Sequence, residues 1–265
     1  MRHHAGTANQ ESSVKAGLVS NMVTADVAAN LASMQRWIRK AAAAGADLVL
    51  FPEAAATGLI NEDCPERDLA LGQAVPGPHT EALGALAVDH AVHVAFGLLE
   101  RVGNCLYDSA VLLGPSGEVL LHYRRIQPQW HGRHADPSVY RQGDQLPVCR
   151  TPLGSFGFLI CGDLFDDEIV ARFRALGVDW LLLPFARCFP HGVDSQAQWE
   201  SEERQVYVGR AAMTGSTTLM ANYVADSALA GGAFGGAMLV SPAGEVLAAL
   251  DIGQPGMLLA TLCPV

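Results

Sequence analysis

Lysine is almost missing from this chain. Lys15 and Lys40 are the only two, so nearly all of its 17 basic residues are arginine. Positive charge as a whole is scarce: 27 acidic residues leave a net charge of −10 and a pI near 5.3, which excludes the basic face of a nucleic-acid binder. No uninterrupted apolar run reaches the roughly 18 residues that a membrane span needs, so no membrane partner is expected. None of the six cysteines forms a C-x-x-C pair, and the polar stretch Met1–Ser13 lacks the apolar stretch of a secretory signal. Reduced thiols in a cytoplasmic protein are the expectation, not a disulfide framework. Charged residues make up only 17% of the chain against 50% hydrophobic, which excludes disorder as the main state and suffices for a large core. The reading is a flexible leader over 1–13 and one domain over 14–265.

Along that domain, buried strands alternate with helices. Val14 to Val23 reads as a strand, and Asp26 can cap a helix that runs to about Ala44 and stops at Gly45. Leu48 to Phe51 reads as a strand covered on both faces. A helix is expected near Thr80 to His90. Strands are expected over Val92–Glu100, Leu106–Leu113, Glu118–Arg125, Phe156–Ile160 and Trp180–Leu183. The polar stretch from Ile126 to Pro147 has no clear period, and long loops of this kind tend to be functional. Helices are expected over Asp166–Leu176 and Gln196 to about Met213, with four short strands closing the chain.

Two strings recur. Gly45-Ala-Asp-Leu-Val-Leu-Phe-Pro52 matches Gly177-Val-Asp-Trp-Leu-Leu-Leu-Pro184, and Pro115-Ser-Gly-Glu-Val-Leu120 matches Pro242-Ala-Gly-Glu-Val-Leu247, each about 130 residues apart. Two similar halves of helix, buried strands and hairpin imply an α/β sandwich with an internal pseudo-twofold repeat.

Two residues stand at strand tips, where α/β sheets carry their sites. Glu53 follows Leu-Val-Leu-Phe-Pro and is placed to act as a general base or to be an ordinary loop glutamate. Cys161 follows Phe156-Gly-Phe-Leu-Ile160 and precedes Gly162-Asp163. There its sulfur can meet a cleft while the next amide N–H groups face the same spot. Taken alone, a cysteine after four apolar residues is more often a small core residue.

Phe51-Pro52-Glu53, Tyr123-Arg-Arg-Ile126 and Leu159-Ile-Cys161-Gly-Asp163, in that order and spacing, resemble the three signature blocks of the nitrilase superfamily of carbon–nitrogen hydrolases. The likeness runs from Lys15-Ala-Gly-Leu-Val to Ser241-Pro-Ala-Gly-Glu. It implies a four-layer α-β-β-α sandwich and a Glu–Lys–Cys triad. Glu53 falls on the base, Cys161 on the nucleophile, and Arg125 on the lysine. Gln127 stands where the family has histidine. Asp136, ahead of Tyr140 and Gly143, is the nearest match to a second family glutamate. Arginine keeps the positive charge but is planar and practically never deprotonated. It can donate to an oxyanion, or it can clasp Glu53 at two points and take it out of service.

The resemblance implies cofactor-free cleavage of a non-peptide C–N bond in a small linear amide or N-carbamoyl compound through a Cys161 thioester, in a homodimer or larger homo-oligomer. The alternative is a nitrilase-fold protein that binds a small ligand or partner without turnover. Asp136, Gly162, Asp163, Phe185 and Arg187 are expected at the substrate, although Asp163 also suits a helix cap. Trp130, Phe185 and Phe189 either wall the pocket or pack. His131, His134 and His191 lack regular ligand spacing, so no metal site is expected.

Overall fold

The computed structural model describes residues 13–59, 63–189, 195–229 and 232–262. The leader expected over 1–13 therefore falls almost wholly outside the described residues, as do His191 and Cys263.

Two six-strand ladders face each other. The first has the order β15 (Gly256–Leu262), β1 (Val14–Ser20), β3 (Leu48–Leu50), β4 (His93–Val102), β5 (Cys105–Leu113) and β6 (Val119–Arg124), with the short β7 (Tyr140–Arg141) beside β5. The second has the order β8 (Val148–Thr151), β9 (Gly154–Phe158), β10 (Trp180–Phe185), β11 (Thr217–Asn222), β13 (Ala237–Val240) and β14 (Val246–Leu250). Two further short strands, β2 (Met22–Val23) and β12 (Val224–Ala225), pair with each other.

The ladders correspond strand for strand. In each, three parallel strands are flanked on one side by an antiparallel strand and on the other by an antiparallel hairpin. The hairpins share an irregularity at matching places, Leu112/Leu113 and Leu239/Val240, and a left-handed turn glycine, Gly117 (φ +85) and Gly244 (φ +82). The repeat read in the sequence is thus a repeat of structure. Its two matched strings form the central strands β3 and β10 and the two hairpin turns.

Period-two alternation explains why these central strands are apolar throughout. Leu48 and Leu50 face the opposite sheet, as do Trp180 and Leu182. Val49 and Phe51 face the helices α1 (Val27–Ala43) and α3 (Pro78–His90), meeting Met34, Ile38, Leu83 and Leu86. Leu181, Leu183 and Phe185 face the other helical layer, α4 (Asp167–Arg174) and α6 (Arg204–Met213). The result is the expected α-β-β-α sandwich. Each fully buried Leu or Phe of this kind contributes about 1.5–3 kcal/mol.

Asp26 caps α1 as its position suggested, accepting from Ala29 N at 3.0 Å. Three stretches differ from expectation. A helix, α2 (Pro65–Leu71), sits inside the loop after Glu53, started by Pro65 at its first position. Strand β8 extends the second sheet beyond the region read as loop. The helical run from Gln196 to Met213 is widened by a π-type turn over Trp199–Glu203 between α5 (Gln196–Gln198) and α6.

Candidate active site

Glu53 lies at the tip of β3, held against β4 by backbone pairing: Gly97 N donates to Pro52 O at 3.0 Å and Ala55 N to Gly97 O at 3.1 Å. Only glycine fits at 97, because a Cβ there would stand 2.6 Å from the Glu53 Cα. Glu53 is fully buried.

Arg125 leaves the end of β6, its N–H donating to Asp108 O at 2.8 Å. Strand alternation separates the two neighbouring arginines. Arg124 turns to Glu100, with Nη2 2.6 Å from Oε1, while Arg125 turns inward. Arg125 Nη1 donates to Glu53 Oε1 at 2.9 Å and reaches Asp108 Oδ2 at 3.4 Å; Nη2 donates to Gln127 Oε1 at 3.0 Å. The Arg125–Glu53 contact is therefore single, not a two-point clasp, and Glu53 Oε2 has no hydrogen-bond partner among the described residues.

Cys161 follows β9 and opens a short 3-10 turn, Cys161–Phe165. Its φ of +44° is a left-handed conformation that costs a non-glycine residue on the order of 1–2 kcal/mol and tends to persist at functional positions. Its sulfur lies 3.7 Å from Ala186 O and is near enough to Glu53 for its charge to act on that carboxyl. Gly162 leaves the room that the guanidinium occupies: a Cβ there would fall 2.3 Å from Arg125 Nη2, so Arg125 would have to shift.

Asp163 ties two of these chain segments together. Its Oδ1 accepts from Ile126 N (3.1 Å) and Gln127 N (2.8 Å), and its Oδ2 from Ile160 N (2.9 Å) and the Tyr123 hydroxyl (2.6 Å). This carboxylate fixes the end of β6 to the end of β9, and so holds Arg125 beside Cys161.

Arg125 and Cys161 open on a cavity of about 530 Å³, whose walls include Gln127, Gln129, Gly162, Phe165, Arg187, Glu203 and Tyr207. Glu53 sits behind them. Burial raises its pKa to about 8, helped by the Cys161 charge and opposed by Arg125. Burial likewise holds Asp108 well above the usual carboxylate range, with the Glu53 charge acting in the same direction. The Tyr207 hydroxyl is pushed up by burial and then by Cys161.

Of the positions expected at the substrate, Gly162 and Arg187 line this cavity. Arg187 is gripped by Glu203 through two contacts, one of them Nε to Oε2 at 2.8 Å. The other three do not line it. Asp136 is exposed, and its Oδ1 accepts from Ser138 N at 2.8 Å in a local turn. Asp163 is fully buried with both oxygens occupied. Phe185 belongs to the helix-facing side of β10 and packs on Tyr207, ring centres 5.4 Å apart. Trp130 packs in a separate cluster with Tyr140, and Phe189 against Phe234. No group of three or more His, Cys, Asp or Glu side chains suited to a metal occurs among the described residues. No helix among them is long and apolar enough to cross a membrane. Asp108, Glu203 and Tyr207 are the members that sequence reasoning missed. A carboxylate inside the apolar run Leu106–Leu113 was the available signal for Asp108.

A sequence profile described as "Carbon-nitrogen hydrolase" matches residues 10–264. Nitrilase 3 of Arabidopsis thaliana is 28% identical, over 92% of this chain and 76% of its own length. The omega-amidase NIT2 of Xenopus tropicalis is 28% identical, over 87% and 82%. The amidase from Nesterenkonia sp. AN1, solved as a double mutant in complex with acrylamide, superposes with a TM-score of 0.79 at 22% identity, covering 97% of this chain and 94% of that one.

Proposed function

The chain belongs to the carbon–nitrogen hydrolase family, and from this premise we propose that it is an amidase-like member of the nitrilase superfamily that hydrolyses small linear amides or N-carbamoyl compounds through a thioester on Cys161. The observation that carries the proposal is the meeting of the Cys161 thiol and the Arg125 guanidinium at one cavity of small-molecule size, with the buried Glu53 carboxyl bonded to Arg125 behind them.

The Cys161 sulfur attacks the carbonyl carbon, and its proton passes to Glu53. Arg125 and the amide N–H of Gly162 hold the oxygen that gains charge. The C–N bond breaks, Glu53 gives its proton to the departing nitrogen, and ammonia or an amine leaves. Water then gives a proton to Glu53 and its oxygen to the acyl carbon. The C–S bond breaks, the proton returns to sulfur, and a carboxylic acid, or a carbamic acid from an N-carbamoyl compound, departs. Side chains of the chain and water handle every proton in this scheme.

The omega-amidase relative supports an amide substrate. Further support comes from the Nesterenkonia amidase, whose double mutant was solved in complex with the amide acrylamide. The single Arg125–Glu53 contact supports turnover over ligand binding without it, because it leaves Glu53 Oε2 available to the thiol. The working form is taken to be a cytoplasmic homodimer or larger assembly.

Ammonia release from a panel of small amides and N-carbamoyl compounds tests the proposal. Wild-type protein should release it and Cys161→Ala should not. Release that is unchanged in the variant rejects the mechanism.

A further inference from the structure

Asp108 is a buried acid of this site that the scheme above does not use. It is 2% exposed, beside Glu53 at 0% and Arg125 at 3%. Arg125 Nη1 serves both acids, nearer to Glu53 (2.9 Å) than to Asp108 (3.4 Å). Each acid keeps a second buried oxygen, Glu53 Oε2 and Asp108 Oδ1, with no partner among the described residues. The other titratable groups facing the pair are Cys161, Asp163 with its Tyr123 partner, Tyr207 and Tyr223. Apart from Arg125, none of these is cationic.

Two ionised carboxylates around one guanidinium, out of water, would leave an uncompensated buried charge. Such groups take up a proton instead. The shorter contact to Arg125 favours ionised Glu53, which leaves the proton on Asp108. We infer that Asp108 is a positioning residue: in the working form, with Glu53 ionised, it carries a proton, donates it in a hydrogen bond to Glu53, and so holds Glu53 singly bonded to Arg125. Burial raises the pKa of both acids; beside it, Asp108 lowers that of Glu53 while Glu53 raises that of Asp108, in agreement with this assignment. Without Asp108, the Nη1 hydrogen it receives is released and the guanidinium is free to close on both Glu53 oxygens. Glu53 would then no longer accept the thiol proton. The role rests on the hydrolase reading for its purpose, but its physical content is the reactivity of the Cys161 thiol.

The test compares Asp108→Asn with Asp108→Ala. Asparagine always donates and cannot lose the proton, whereas alanine removes the donor. Alkylation of Cys161 by iodoacetamide, followed by peptide mapping from pH 6 to 10 (about the span of thiol titration), reads the thiol directly. Amide hydrolysis is measured alongside, and thermal unfolding checks the fold. Asparagine should keep alkylation and hydrolysis within about threefold of wild type and extend the alkaline plateau, while alanine should slow both by about tenfold or more. Equal damage by both variants would overturn the inference, since charge and not a donated proton would then be the requirement. So would wild-type alkylation in both. If the wild type releases no ammonia from any amide, the hydrolase reading fails, and the alkylation comparison still decides the role of Asp108.

Discussion

Arg125 meets Glu53 through one nitrogen and one oxygen, 2.9 Å apart, while its other terminal nitrogen is engaged by Gln127. This arrangement lets an arginine stand in a hydrolase where lysine would be the plainer choice. The guanidinium is spread over three acceptors, so no single acid is clasped. Lysine at this place would present one ammonium, give up the bond to Gln127 Oε1 and leave Asp108 Oδ2 without its donor. Arg125→Lys should therefore lower kcat/KM by about 10²-fold, the cost of a misplaced oxyanion donor. Steady-state ammonia release checks this, and equal or higher activity in the variant would contradict it.

Gly162 gives a purely steric prediction. Its missing Cβ leaves room for Arg125 Nη2, so Gly162→Ala should displace the guanidinium and cut activity by about 10²-fold, with overpacking costing roughly 1–3 kcal/mol of stability. Gly209 is the control. No atom lies near the position of an added Cβ, and the residue sits inside α6, so Gly209→Ala should stabilise by about 0.5–1 kcal/mol and spare activity. Thermal melts and kinetics on both variants separate the two cases.

The placing of Glu53 and Cys161 at strand tips was legible in the sequence because each follows an apolar run that reads as a buried strand; their roles came from the family resemblance. Phe185 was misjudged although the same alternation settles it: it shares parity with Leu181 and Leu183, which face the helices. Asp136 was misplaced for a different reason. Nothing periodic fixes the path of residues 126–147, so spacing along the loop says little about distance from Cys161. The π-type turn that brings Glu203 to Arg187 has no signature in an otherwise ordinary helical stretch. Asp108 lies 55 positions from Glu53, and only the pairing of β4 with β5 brings them together.

A pH dependence follows from Glu53. The base must be ionised, so the rate should climb as pH rises through about 8. Stability should move the opposite way. The folded state holds protons that the unfolded chain releases above the ordinary value of 4.5, so the contribution is complete below 4.5 and is lost as pH rises toward 8. Glu53→Gln should flatten both trends. Melting temperature and rate measured across this range check the opposed slopes, and parallel slopes would refute the assignment.

Asp163 should behave as a clamp. Removing it in Asp163→Ala leaves three backbone N–H groups and the Tyr123 hydroxyl unpaired, at a cost of roughly 3 kcal/mol or more. It should also slow alkylation of Cys161 by letting the end of β6 drift from the end of β9. A denaturant titration gives the first quantity. Stability within about 0.5 kcal/mol of wild type, the range of neutral surface changes, would contradict the clamp.

The most direct measurement is intact mass after rapid acid quenching of the protein with a reactive amide, followed by peptide mapping. The account predicts an acyl adduct on the peptide that carries Cys161, absent from Cys161→Ala and decaying as ammonia and acid accumulate. Turnover with no adduct on that peptide, or an adduct that persists in the variant, would contradict it.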